Sequence, residues 1–286
     1  MSLQIPSSHA PTPHLPESTP PTGASNPALG LKKRSSLTSH LEFGIIHEQS
    51  DLEAAFGLVY ESYIRAGLTE VNDKEIRLTP FHLLPTTEVF SARYQGSTVS
   101  TVSLIGDGYL GLPMEGIYAK EIKQLRDRGC RMAEIGCLAD RRNSPVRFIE
   151  LFATMGRMLA RVAKVRGYDG LVAAVHPRHA RLYQRILPFE QIGEVIECPY
   201  ANGNPAVMVQ LVFDDHLGSS LYERFFGVMA SGFDTTLRHW SKETREYFKS
   251  HLQTDQERKD DQVSGQLACA ALTGQFVSRV DASPAP

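Results

Sequence analysis

Glu134 is an acid in the middle of the apolar stretch CRMAEIGCLAD. A carboxylate inside a strand is costly unless it is paired or does chemistry. Glu134 is therefore either a structural hydrogen-bond acceptor or a general base. The chain around it is basic. From Arg126 to Arg185 there are twelve Arg and one Lys against five acids (Asp127, Glu134, Asp140, Glu150, Asp169), which is 13 minus 5, or +8, inside a chain of net charge −2. Such a patch suits an acidic partner, whereas single residues such as Arg147, Arg157 and Arg161 suit a solvated helix face equally well. The segment HPRH places His176 and His179 three apart with no third ligand, so no metal site is expected. Cys130 and Cys137 lack an evident base partner and are poor nucleophile candidates.

The elements that must position these groups can be read from periodicity. LEFGIIHE (41–48) predicts a strand. Ser50 and Glu53 stand at capping-box spacing before a helix striped by Leu52, Phe56, Val59, Tyr60 and Ile64, which Gly67 stops. Residues 68–86 read as a long loop, and Gln95-Gly96 joins two strands of a hairpin. A Gly/Pro loop follows at 107–116, then a helix at 117–129 and a strand at 130–140. Pro145 opens a helix striped by Phe148, Phe152, Met155, Leu159 and Val162 that runs to Arg166. A buried strand at 170–176, a short helix at 177–186 and two closing strands (189–199 and 205–213) around Asn202-Gly203 complete the set. The order is β-α-(loop)-β-β-α-β-α-β-α-β-β, which predicts an α+β fold on a mixed sheet.

Composition bounds the rest. The 286 residues are 42% hydrophobic and 22% charged, as in a soluble globular protein. The pI of about 6.6 excludes a chain-wide basic field for nucleic acid. No apolar run reaches the length of a membrane span, and the N-terminus has no secretory h-region. The four cysteines form no CxxC pair, so a reducing, cytoplasmic setting is expected. GxGxxG and Walker A sequences are absent. Residues 1–40 hold seven Pro, eight Ser and four Thr and read as a disordered tail. The domain is expected at 41–213, a helical appendage at 214–252 and a loose tail at 253–286. The appendage carries Leu221, Phe225, Phe226, Met229, Phe233, Leu237 and Trp240. Packing on the core is its default. Dimerisation and contact with a membrane surface, where a lipid product would leave, are the alternatives.

The order of elements resembles the GNAT acyltransferase fold. The stretches TVSLIGDGYLGLPMEGIYAKEIKQLRDRG, AEIGCLAD, AAVHPRHARLYQRILPFEQIG and RLTPFHLLPTTEVFSARYQG resemble the FeeM-type long-chain N-acyl amino acid synthases, relatives of the acyl-homoserine-lactone synthases. The resemblance implies transfer of a fatty acyl group from acyl carrier protein to an amino acid amine, with no permanently bound cofactor and the carrier's phosphopantetheine arm as donor. It makes Glu134 the general base, acting through a water. Tyr183, in HARLYQRI, serves the departing thiolate or is an ordinary amphipathic core residue. Coenzyme A-binding GNAT enzymes carry a glycine-rich turn after the fourth strand, but Asp140–Arg147 (DRRNSPVR) has no glycine. A pyrophosphate nest is hard to build without one. A single phosphate needs less, and Arg141, Arg142 and Arg147 can hold it. Arg93, Arg178 and His179 are candidates for the amino acid carboxylate. The acyl slot would use Leu104, Ile105, Leu110, Leu112, Pro113, Met114 and Ile117, with Met155 and Leu159 as the opposite wall. Asp107 and Glu115 would position this loop. Parting of the fourth and fifth strands would expose backbone donors to the thioester carbonyl.

Two other readings compete. One is a coenzyme A-dependent GNAT acetyltransferase, against which the missing glycine turn speaks. The other is a GNAT-like module that binds an acyl ligand or partner without turnover. A lactone synthase fits less well, because no S-adenosylmethionine pocket can be located in the sequence.

Overall fold

The computed structural model describes residues 40–141, 148–228, 233–236 and 238–257. Strand β1 (Leu41–Ile46) leads into helix α1 (Gln49–Ala66). The helix starts one residue before Ser50, with Glu48 at the N-cap and no side-chain cap. The expected capping box is therefore not formed. Glu53 instead accepts from the Gln49 side-chain amide at 3.0 Å, because the strand stops at Ile46 and the helix begins two residues sooner than a Ser50 cap would place it. The long connection that follows contains a 3₁₀ turn at Pro80–Leu83. Strands β2 (Thr87–Tyr94) and β3 (Ser97–Gly106) form the hairpin. Gln95 and Gly96 both have positive φ (50° and 79°), the two-residue turn whose twist matches that of the paired strands.

Helix α2 (Glu115–Asp127), strand β4 (Met132–Asp140), helix α3 (Phe148–Val165), strand β5 (Gly170–Val175) and helix α4 (Pro177–Ile186) follow as the periodicity predicts. The expected start of α3 at Pro145 lies outside the described residues. The first closing strand is not continuous. It divides into β6 (Glu190–Gln191) and β7 (Ile196–Cys198), both antiparallel to β8 (Asn204–Val212). Between these pieces the chain bulges around the buried Tyr118, whose hydroxyl donates to Glu194 O at 2.9 Å and Ala206 O at 2.8 Å. A Cβ on Gly193 would lie 2.6 Å from that ring, so the bulge needs glycine there.

The sheet runs β1-β2-β3-β4-β5-β8-β6, with β7 on β8, and among the described residues only the β4–β5 pair is parallel. Its two faces can be assigned from the period of two along each strand. Ala133, Ile135, Leu171, Ala173 and Val209 join α3 in the main core. Met132, Val172 and Met208 face the other way, against α2. On the α3 side, Glu88 of β2 and Arg166 form a buried ion pair that ties the end of that helix to the sheet.

The segment after β8 packs on both faces. Helix α5 (Ser220–Phe226) buries Tyr222, Phe225 and Phe226 against α3. A Cβ on Gly156 would meet Phe225 O at 2.6 Å, so glycine permits that approach. Helix α6 (Lys242–Glu257) runs past residue 252, where the appendage was expected to end, and inserts Phe248 among Leu52, Phe56 and Val89. Met229 and Leu237, and most of both expected tails, lie outside the described residues. No helix among the described residues is long and apolar enough to cross a membrane.

Phe248 is fully buried and packs edge-on to Phe56 at 5.3 Å between centroids. Phe248→Ala should lower the unfolding free energy by about 3–5 kcal/mol in urea titrations. Leu221→Ala, at a position 39% exposed, should change it by less than about 1 kcal/mol.

Candidate active site

Strands β4 and β5 pair over three residues only, Met132↔Gly170 to Glu134↔Val172. Beyond Glu134, β4 runs on to Asp140 and β5 to Val175 with no ladder between them. A bulge on the other edge of β4 helps to turn it away. Two steps of β3, from Thr101 to Ser103, oppose three steps of β4, from Gly136 to Ala139. Cys137 takes up the extra residue in the left-handed region at φ 50°, a conformation costly for a side chain with a Cβ. The result is a gap whose backbone groups are not committed to a ladder, with Glu134 at its apex.

Glu134 is 5% exposed and points to the α2 face of the sheet. Its Oε2 accepts the Met114 N–H at 2.9 Å. Burial pushes its carboxyl up to about 8, against the smaller opposing pull of that hydrogen bond. A carboxyl so placed is a base that ionises just above neutrality, the range useful for taking a proton from an amine. Cys137, Tyr63 and Tyr200 all feel the charge of Glu134. Burial raises all three, with the Cys137 thiol at about 11, which leaves it protonated and a weak nucleophile.

Tyr183 lies on the inward side of α4, 9% exposed, with its ring against Phe152 and Phe189. Burial pushes its hydroxyl up to about 12.

The other expected site residues are distributed as follows. The Met114 backbone holds Glu134, while its side chain is fully buried with Leu112 and Tyr118. Met155 is buried on the opposite face with α3. The sheet therefore stands between Met114 and Met155, and the idea that α3 forms the wall facing the 107–116 loop is corrected by the alternation of side chains along β4 and β5. Leu110 is half-buried in that loop. Asp107 and Glu115 both bind the Arg126 guanidinium, with Asp107 Oδ2 at 2.7 Å from Nε, and this clamp holds the loop on α2. The Arg93 guanidinium is paired with Asp51 at 2.9 Å and Glu42 at 3.2 Å, and β3 separates its strand from β4. Arg178 and His179 are exposed in the first turn of α4, where His176 Nδ1 caps the Arg178 N–H at 3.1 Å. Arg141 is exposed at the end of β4, whereas Arg142 and Arg147 lie outside the described residues. Among the described residues no three His, Cys, Asp or Glu side chains gather as metal ligands.

Sequence reasoning missed Arg77, Tyr63 and Tyr200. Tyr63 lies seven residues after Phe56, so the helical repeat carried the signal. Arg77 and Tyr200 sit in irregular segments, where no period points to a partner.

The profile of a family described as N-acyl amino acid synthase FeeM matches residues 54–212. Among solved structures, the chain is similar to FeeM, an N-acyl amino acid synthase from uncultured soil microbes. That similarity is 25% identity over 65% of this chain and 97% of that one, with a TM-score of 0.56. It shares its fold with the acyl-homoserine-lactone (AHL) synthase LasI, at 14% identity, 68% and 98% coverage and a TM-score of 0.51. No curated protein sequence matches the chain. The mixed sheet is the GNAT acyltransferase-like architecture that the order of elements implied.

The raised carboxyl of Glu134 has a consequence for stability. Its folded value, about 8, lies above the ordinary 4.5, so the folded state holds this proton more tightly than the unfolded chain. The stabilisation is complete below the ordinary value and is lost as pH rises through about 8. Glu134→Gln keeps an acceptor for Met114 but does not titrate. Melting curves from acid to mildly alkaline pH should show the wild type losing roughly 3–5 kcal/mol relative to this variant. Parallel curves would mean that the carboxyl is not desolvated.

Proposed function

Because the chain belongs to the N-acyl amino acid synthase FeeM family, we propose that it moves a long-chain acyl group from acyl carrier protein to the amine of an amino acid. The observation that carries this reading is a buried carboxylate at the point where β4 parts from β5. The acceptor arrives as an ammonium ion, and Glu134 removes one proton, directly or through a water. The neutral nitrogen then attacks the thioester carbonyl. The C–N bond forms, the C–S bond breaks, and the second amine proton ends on the departing thiolate. Tyr183 supports that thiolate as a hydrogen-bond donor. Full proton transfer from a hydroxyl at about 12 to a thiolate near the ordinary cysteine value of ~8.5 would be uphill by about 3.5 pK units, so donation without transfer is the better role. Uncommitted backbone groups along the gap can polarise the carbonyl. A fatty chain threaded through the gap would pass from the Glu134 face to the apolar α3 face, where Met155 and Phe152 lie.

Charge favours a carrier protein as donor. Several arginines of the basic stretch are already engaged. Arg126 is held by Asp107 and Glu115, Arg166 by Glu88, and Arg157 donates to Arg224 O at 2.6 Å. Arg178, Arg181 and Arg185 line one exposed side of α4 and form no ion pair among the described residues. With Arg141 they make a basic rim that suits an acidic carrier and the phosphate of its arm.

Purified protein given long-chain acyl carrier protein and mixed amino acids should yield N-acyl amino acids by mass spectrometry. No product across a broad panel would reject the proposal. Glu134→Gln should lower kcat by about 10²–10⁴-fold. Wild-type kcat should climb with pH and level off above about 8, a limb that this variant lacks. Tyr183→Phe should cost about tenfold, the loss of one hydrogen bond to a charged group.

A further inference from the structure

Arg77, in the connection between α1 and β2, is a cation fixed in place with no counter-ion among the described residues. Its guanidinium lies over the Tyr63 ring at 4.8 Å from the centroid. Nη2 donates to Tyr200 O at 2.8 Å and Nη1 to Thr69 Oγ1 at 3.4 Å. Its backbone N–H donates to Phe56 O at 3.2 Å. These contacts are to a ring, a hydroxyl and carbonyl oxygens, and no carboxylate pairs with it among the described residues. The Nε–H is buried and has no hydrogen-bond partner. Arg93, Arg126 and Arg166 each have a carboxylate. An arginine positioned from three sides, partly desolvated and unneutralised, is poised for an anion.

The location narrows the anion. Tyr63, the ring under the guanidinium, and Cys137, at the bulge of β4 three residues beyond Glu134, pack against the same small cluster of Leu58, Val59 and Ala139, which puts Arg77 beside the stretch of β4 that carries the carboxylate. Tyr63 comes from α1 and Tyr200 from the turn between β7 and β8, so Arg77 bridges these two segments on the side of β4 away from the α3 core. An amino acid carries an ammonium and a carboxylate on one carbon. With the ammonium toward Glu134 and the carboxylate toward Arg77, the nitrogen lies at the apex of the gap.

We infer that Arg77, braced by Tyr63 and the Tyr200 carbonyl, receives the α-carboxylate of the acceptor and so restricts acylation to amino acids over simple amines. The inference rests on the synthase reading above. The same fork chemistry would also suit the phosphate of the carrier's arm, and the two sources are separable kinetically. The uncharged Arg77→Met removes the fork, and Arg77→Lys keeps only the charge.

The test measures kcat/KM for an amino acid and for the matching amine without its carboxylate, at saturating acyl carrier protein. The wild type should prefer the amino acid by about 100-fold, the scale on which a site built for a charged hydrogen-bonding group rejects its absence. Arg77→Met should reduce that preference to within a fewfold of unity, and Arg77→Lys should hold an intermediate ratio. KM for the acyl donor should stay the same in all three. A general folding defect would lower both rates together and leave the ratio intact. A wild type that acylates both acceptors alike overturns the inference without need of any variant. An unchanged ratio in Arg77→Met, or a change confined to the donor KM, overturns it and leaves the synthase reading in place. No N-acyl product from the wild type overturns both.

Discussion

The end of the β4–β5 ladder after Glu134 is the constraint on which the remaining structure depends. Every other pair in the sheet is antiparallel, so each of those strands can find its neighbour through a turn or a helix returning along its edge. The one parallel pair is held for three residues and then released. Backbone groups left without partners inside a protein are costly, so such a gap persists only where surrounding elements over-determine it. Here the bulge at Cys137 rotates β4 away, α1 packs against β4 at Ala139, and the clamp of Asp107, Glu115 and Arg126 fixes the loop that carries Met114. In the proposed reaction an extended thioester arm supplies its own amide groups to this unfinished ladder.

Two carboxylates among the described residues are nearly as buried as core aliphatics, and they are treated differently. Glu88 has Arg166 beside it, and that cation offsets part of the rise that burial alone would cause. Glu134 has one backbone N–H and no cation. Its ionised form is thus the less stable one near neutrality, a cost for the fold that makes sense at a site needing a base rather than a permanent charge. The same contrast runs through the arginines. Those on the loop clamp and at the end of α3 are neutralised and structural, whereas those on α4, together with Arg77, are left with unspent charge around the gap.

The segment after β8 belongs to the packing on both faces. Helix α5 completes the hydrophobic core above α3, and Phe248 of α6 closes the cluster formed by α1 and β2. Since α1 carries Tyr63, the aromatic cluster around Phe248 supports the wall of the site at a distance.

Much of this could be read from residue order alone. Hydrophobic periods of two and 3.6 are local properties, so the strands, the helices and the Gln95-Gly96 turn were legible, as was the oddity of an acid within AEIGCLAD. The sequence patterns that resembled an acyltransferase family span those elements and the loops at 77–86 and 107–116 between them. The break between β6 and β7 was not legible, because it answers to Tyr118, which lies more than seventy residues away. The placement of Met114 and Met155 on opposite faces was likewise hidden, since composition says which residues are apolar but strand register decides which side they take. Nor could the chain show which arginines are free. Ion pairs such as Arg166 with Glu88 join distant positions, and only folding reveals that Arg77 is held by an aromatic ring and a carbonyl while its charge stays unpaired. Local pattern specifies elements because it acts within a turn or a pleat. Charge compensation and the direction of a gap are sums over neighbours from remote segments, and those exist only once the sheet has formed.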